Sequence, residues 1–242
     1  MSICINDDLI WVSSPKCAST SIESAFINSN LNINHYRYGK NKQHPKHIHI
    51  KLADLYQKFG KKDSVVIKRD YFDRWISGLQ HMWYTYELKN YETIIKWEDI
   101  NNNFIYETFT SEFIDEMHSL VPSDLNLLDH NDTQTQVKEA LKLTIHKLVK
   151  TIPENLNIGF DPCILLFSQL YWVNNIKCTY EFNINEIEKF ENFISNRYNI
   201  EFKVNKLNES KPKENQIIKD EKLKQWVFEN FEKRFEKRNS II

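Results

Sequence analysis

Residues Trp11–Ser24 read WVSSPKCASTSIES, and the fold turns on how this stretch divides. Its upstream part belongs to LIWVS (Leu9–Ser13), a nearly continuous apolar run bounded by Asp7 and Asp8 on one side and Pro15 on the other, as a buried strand presents. Downstream, Thr20 and Glu23 have capping-box spacing, and Ile22, Ala25 and Phe26 follow at helical intervals. The stretch therefore reads as a strand, a loop and a helix start. Ser13, Ser14, Cys17, Ser19, Thr20 and Ser21 crowd around Pro15 and Lys16 in a chain with only 4 glycines.

A second strand-to-helix turn lies further along. SVVIK (Ser64–Lys68) is another short apolar run, and in the following RDYFDRWISGLQHMWY the residues Phe72, Trp75, Ile76, Leu79 and Trp83 form a helical stripe. Between the two turns, residues 34–50 carry no clear period, whereas KLADLYQKFGKK reads as a helix stopped by Gly60. Helices are expected near 104–119, 133–150 and 162–174, the last with Asp161 as N-cap and Pro162 at its first position. KCTYEF (177–182) is a candidate third strand, Asn185 a cap for a helix carrying Ile187, Phe190 and Ile194, and 219–238 a closing amphipathic helix. Strands alternating with helices argue for one α/β domain over residues 1–242 with a mostly parallel sheet.

Composition narrows the function classes. A chain of 242 residues, 41% apolar with 15 Phe, 11 Tyr and 6 Trp, can bury a substantial core. Net charge is -1, so nothing global draws the chain to nucleic acid or an anionic membrane, and any anion site must be built locally. MSICINDDLIWV lacks a basic region followed by a long apolar one, and no apolar run approaches the roughly 20 residues that span a bilayer. A soluble, cytoplasmic protein is expected. Cys4, Cys17, Cys163 and Cys178 form no C-x-x-C pair, which suits reduced thiols better than a disulfide framework or a zinc site.

In a parallel α/β sheet, ligands bind beyond the carboxyl ends of strands, where the next helix offers unpaired N–H groups and the positive end of its dipole. Residues 14–21 occupy that place. Small residues at Ala18, Ser19 and Ser21 let the backbone close around phosphate oxygens, hydroxyls at Thr20 and Ser21 add donors, and Lys16 adds charge. The loop lacks the glycines and lysine placement of G-x-x-x-x-G-K-[ST], and no arginine near Glu23 completes a cysteine-phosphatase loop. Cys17 is thus expected to serve through its backbone N–H. At the second turn, Arg69 and Ser77 can converge to hold another phosphate, while Asp70 and Arg74 read as a solvated surface pair.

The two turns together resemble the signature of the sulfotransferase family that uses 3'-phosphoadenosine 5'-phosphosulfate. SSPKCASTSIESAF is similar to that family's 5'-phosphosulfate loop and IKRDYFDRWIS to its 3'-phosphate motif, and the wording is nearest the carbohydrate-type branch. FSQLYWV with YEFNINEIEKF, and LNESKPK, resemble later segments of that branch in the same order. One departure is Tyr71, which stands where the family usually has proline. The resemblance implies a P-loop-like three-layer α/β/α domain and no required metal. It implies that Lys16 contacts the bridging oxygen and the sulfonate, and that Cys17, Ala18, Ser19, Thr20 and Ser21 hold the 5'-phosphate. Arg69 and Ser77 would hold the 3'-phosphate, with Lys211 closing over it.

Sulfonyl transfer needs an in-line acceptor, stabilisation of charge on the leaving oxygen and a base for the acceptor proton. QHPKHIHIKL supplies His44, His47 and His49, and histidine titrates in the range such a base requires. His47 resembles the family's catalytic histidine in position, with His49 or a carboxylate such as Glu23 as alternatives. The acceptor is expected to be a hydroxyl on a carbohydrate or small molecule. A P-loop-like nucleotide kinase and a non-catalytic nucleotide-binding protein are the competing readings.

Overall fold

The computed structural model describes residues 2–36, 51–86, 111–112, 166–173, 176–205 and 221–233. Among the described residues five short strands form one sheet: β1 (Ser2–Ile5), β2 (Leu9–Val12), β3 (Ile33–Tyr36), β4 (Asp63–Lys68) and β5 (Tyr180–Asn183), in the order β3-β1-β2-β4-β5. The described helices are α1 (Ser19–Ile27), α2 (Leu52–Phe59), α3 (Tyr71–Tyr86), α4 (Gln169–Val173), α5 (Ile187–Tyr198) and α6 (Glu221–Val227), the last continued by a π-helical turn, Phe228–Glu232. No helix among the described residues is long and apolar enough to cross a membrane.

The chain is α/β, but its sheet is mixed. β2 pairs in parallel with β4, and β4 with β5, whereas β1 is antiparallel to both β2 and β3. This corrects the expectation of a mostly parallel sheet, and the cause is local. A parallel crossover needs about a dozen residues or more, while only Asn6, Asp7 and Asp8 separate the paired Ile5 and Leu9. Asn6 (φ 45°) and Asp7 (φ 59°) adopt the left-handed backbone of a hairpin turn, closed by the Asp8 N–H donating to the Ile5 carbonyl at 3.0 Å.

Strand alternation sends side chains to two cores. Ile3, Ile5, Leu9, Trp11, Val65 and Ile67 face Ile22 and Phe26 of α1 and Phe190 and Ile194 of α5. Cys4, Ile10, Val12 and Val66 face Leu52 and Leu55 of α2 and Tyr171, Trp172 and Val173 of α4. Phe26 anchors the first core, with its ring centroid 5.8 Å from Trp11 and 4.8 Å from Phe202. Burying such a ring contributes about 1.5–3 kcal/mol. Gly60 (φ 77°) ends α2 in a backbone conformation that L-residues resist, as its position in the sequence suggested.

α3 buries Phe72, Trp75, Ile76 and Leu79, and Trp75 lies 6.1 Å from Trp226 and 5.5 Å from Phe231, so the closing segment packs on it. Asn185 does not cap α5: it lies in a 3-10 turn (Ile184–Glu186) that precedes the helix, capped by Asn183 Oδ1 accepting the Asn185 N–H at 2.9 Å, and the N-cap of α5 itself, Glu186, makes no side-chain capping bond. At the amino ends of β2 and β4, opposite their carboxyl ends, Arg197 of α5 ties Asp8 (2.9 Å) to Asp63 (3.0 Å). The helices expected at 104–119 and 133–150 lie outside the described residues, apart from Ser111 and Glu112, which are helical.

Candidate functional site

Because β2 and β4 are parallel neighbours, with Val12 opposite Val66, the turns that follow them emerge side by side. The β2 turn begins with the Ser13 N–H donating to Ser2 Oγ at 3.1 Å, and Ser13, Ser14 and Cys17 are buried. Lys16 (φ 62°) and Ala18 (φ 57°, ψ 23°) both adopt the left-handed conformation. That conformation costs an L-residue about 1–2 kcal/mol. A glycine-rich phosphate loop reaches such geometry freely; here the surrounding contacts hold it.

The Thr20–Glu23 capping box does not form. α1 starts at Ser19 with Ala18 as N-cap and no side-chain cap, and Thr20 is an exposed residue of its first turn. The first helical bond runs from the Ile22 N–H to the Ala18 carbonyl at 3.0 Å, so the amides of Ser19, Thr20 and Ser21 precede it. They form the positive end of a 9-residue helix directly after Lys16 and Cys17.

The β4 turn is organised by Asp70, which is not part of a solvated pair. Its Oδ1 accepts the N–H groups of Phe72 and Asp73, both at 3.0 Å, capping α3. Arg69, immediately before this cap, donates from Nη1 to the Lys16 carbonyl at 3.2 Å. The two turns singled out in the sequence therefore touch.

Gln169, at the start of α4, joins them a second time. Its Oε1 accepts the Arg69 N–H at 2.9 Å, and its Nε2 donates to the Ile67 carbonyl at 3.0 Å and to Cys17 Sγ at 3.1 Å. Sequence reasoning placed Gln169 in a segment of family resemblance without a role. No periodicity could supply one, since its partners lie about 100 residues or more away in the chain.

Burial sets the electrostatics. Withdrawal from water, helped by the adjacent positive charge of Arg69, pulls the Lys16 ammonium down to about 8. Burial pushes the Cys17 thiol up to about 11 although Arg74, Arg69 and Lys16 all favour its thiolate. Cys17 is thus no nucleophile. Its side chain also does more than the expected backbone role: Sγ donates to the Pro15 carbonyl at 3.5 Å and accepts from Gln169. Ser14 Oγ is buried with no hydrogen-bond partner among the described residues, an uncommon state for a hydroxyl beside a polar loop.

Arg74 corrects another expectation. Its side chain is 0% exposed, donates from Nη2 to the Leu166 carbonyl at 3.3 Å and lies 3.6 Å from Glu232. Glu232 also receives a short hydrogen bond from the Ser168 hydroxyl. This buried network ties α3, the Leu166–Ser168 segment and the closing π-helical turn together. The sequence disguised it because the compensating carboxylate is far away in the chain.

Of the expected ligand-binding residues, the structure brings together Lys16, Cys17 and Arg69, with Ala18, Ser19, Thr20 and Ser21 following directly at the start of α1. Ser77 is half-buried about two turns into α3, and no hydrogen bond ties it to that cluster. His47, His49 and Lys211 lie outside the described residues. A pocket of about 100 Å³ opens between α1 and residues 201–205, walled by Ser21, Ser24, Asn28 and Lys203 among others; it shares Ser21 with the first turn but does not include Lys16, Cys17, Arg69 or Gln169. No protein-family model, no curated protein and no solved structure matches the chain.

Proposed function

We propose that this chain is a sulfotransferase that moves a sulfonate from 3'-phosphoadenosine 5'-phosphosulfate to a hydroxyl on a carbohydrate or small metabolite. One observation carries the reading: Arg69 and Lys16, from separate strand-to-helix turns, meet at the carboxyl ends of adjacent parallel strands. Two cationic turns side by side suit a ligand with two separated phosphates. Helices against both faces of the sheet are compatible with a P-loop-like three-layer domain.

The residues present suit that donor. The α1 amides and Lys16 supply donors and charge for a 5'-phosphosulfate, and the orphaned Ser14 hydroxyl offers a further polar group in the same loop. Arg69, with Ser77, would take the 3'-phosphate. In the transfer, a bond forms between the acceptor oxygen and sulfur while the bridging sulfur–oxygen bond breaks. The electron pair departs with adenosine 3',5'-bisphosphate, where protonated Lys16 offsets the growing charge, and the acceptor proton passes to a base, for which His47 is proposed.

The test has two stages. Adenosine 3',5'-bisphosphate is expected to raise the melting temperature while ATP with Mg2+ does not, because a ligand at 100 times its Kd stabilises by about 2.7 kcal/mol. Labelled sulfonate from the donor is then expected to appear on a member of a hydroxyl-acceptor panel. Stabilisation by ATP with Mg2+ alone would replace this reading with a kinase. Donor binding without transfer to any acceptor would favour a nucleotide-binding protein without catalysis.

A further inference from the structure

We propose that Gln169 is a positioning residue that fixes the gap between the two anion turns and so makes the site selective for ligands carrying two separated phosphates over those carrying one. This rests on the donor reading above. Gln169 commits both amide hydrogens and an acceptor site on Oε1 to three partners, and those partners belong to both turns. Ile67 lies near the end of β4 and Arg69 just after it, while Cys17 follows β2.

The location explains why a side-chain amide is needed. β2 leaves the parallel ladder at Val12, opposite Val66, while β4 runs on to Lys68. The Ile67 carbonyl and Arg69 N–H are the next backbone groups on one side of β4, and the Gln169 amide pairs with both. It does for the end of β4 what another strand would have done. Through Cys17 Sγ the same amide reaches the loop that replaced β2. Cys17 is 2% exposed, so this anchor is packed in place.

Spacing matters because a ligand holding two phosphates gains from both turns only if their separation matches its own. Binding of the second group is then intramolecular, and its benefit falls quickly when the geometry loosens. Each turn would still bind one phosphate after the clasp is lost, since Lys16, the α1 amides and Arg69 remain. The predicted signature is a lost advantage for two phosphates over one. A general weakening of all ligands would indicate a merely structural role.

The experiment compares adenosine 3',5'-bisphosphate, adenosine 5'-monophosphate and adenosine 3'-monophosphate by calorimetry on the full chain and on Gln169→Met, which keeps length but loses the hydrogen bonds. Gln169→Leu, which removes the hydrogen bonds without adding charge, provides a second variant if the first does not fold. Wild type is expected to bind the bisphosphate on the order of 100-fold more tightly than either monophosphate. In a folded variant that advantage should shrink at least about tenfold, with monophosphate affinities within about threefold of wild type. An unchanged advantage, or equal loss for all three ligands, would overturn the role of Gln169 alone. A wild-type protein with no preference for the bisphosphate would overturn the donor reading too.

Discussion

Arg69 Nη1 lies 3.2 Å from the carbonyl oxygen of Lys16, so a guanidinium from one strand end closes on the backbone of the loop after its neighbour. The contact brings two positive charges together, and Arg69 contributes to the lowered pKa of the Lys16 ammonium. A bound dianion would reverse that effect. Charge at this site is therefore coupled to ligand binding.

The coupling predicts a pH dependence. With the Lys16 ammonium lowered to about 8 chiefly by burial, the free folded state sheds its proton as pH rises through that value, whereas an unfolded lysine keeps it. Folding stability from this group therefore increases between about pH 8 and the ordinary lysine range near 10.4. Anion affinity moves the opposite way, because binding favours the charged amine. Affinity for adenosine 3',5'-bisphosphate should fall above about pH 8 by up to about tenfold per unit, with proton uptake detectable by calorimetry in buffers of different ionisation enthalpy. Lys16→Arg should flatten the profile; a profile unchanged in that variant would count against Lys16 as the titrating group.

The two cations should separate in kinetics. Lys16→Ala is expected to lower the transfer rate by about 10²–10³-fold with a smaller effect on bisphosphate binding, since charge on the leaving oxygen develops in the transition state. Arg69→Ala should mainly weaken binding, by about 1.5–3 kcal/mol, as one charge-assisted contact is lost. His47→Ala should resemble Lys16→Ala rather than Arg69→Ala. Single-turnover rates and bisphosphate titrations on each variant check this, and unchanged affinity in Arg69→Ala would remove Arg69 from the 3'-phosphate assignment.

Cys17 should be chemically silent. A buried thiol raised to about 11 holds almost no thiolate near pH 8. Iodoacetamide at that pH should leave Cys17 unmodified in the native protein and alkylate it after denaturation, as read by peptide mass spectrometry. Cys17→Ser should lower stability by about 1–2 kcal/mol and shrink the advantage of the bisphosphate over the monophosphates, because the shorter hydroxyl cannot match the Gln169 and Pro15 contacts. Rapid native alkylation would contradict the burial.

What the sequence disclosed follows from how far each signal reaches along the chain. β2, β4, α2 and α3 were legible because apolar runs and helical stripes are local, and Gly60 marked its helix end. β1 and β3 were missed because each pairs antiparallel in an extension of the sheet that alternating helices and strands do not foretell. The two strand-to-helix turns were visible as residue clusters, but their contact through Arg69 and Lys16 depends on strand order. Gln169 and Arg74 stayed hidden for the same reason. A glutamine that closes a strand end, and an arginine neutralised by a distant carboxylate, look like ordinary polar residues until their partners are in place.

The buried Arg74–Glu232 pair gives the sharpest stability test. Burial lowers the Arg74 pKa, opposed by the Glu232 charge, and an arginine guanidinium stays cationic in proteins. Removing its carboxylate leaves an uncompensated charge in a 0% exposed site, which costs about 3–5 kcal/mol. Glu232→Ala should therefore lower the denaturant midpoint sharply. Arg74→Met alone should be milder, because Glu232 can take up a proton and retain the Ser168 hydroxyl bond. The double variant Arg74→Met with Glu232→Leu should recover at least about 1 kcal/mol relative to Glu232→Ala, since well-packed apolar replacements remove both charges together. Urea melts of the three variants decide the matter, and a Glu232→Ala loss no larger than that of Arg74→Met would show that the pair does not neutralise a buried charge.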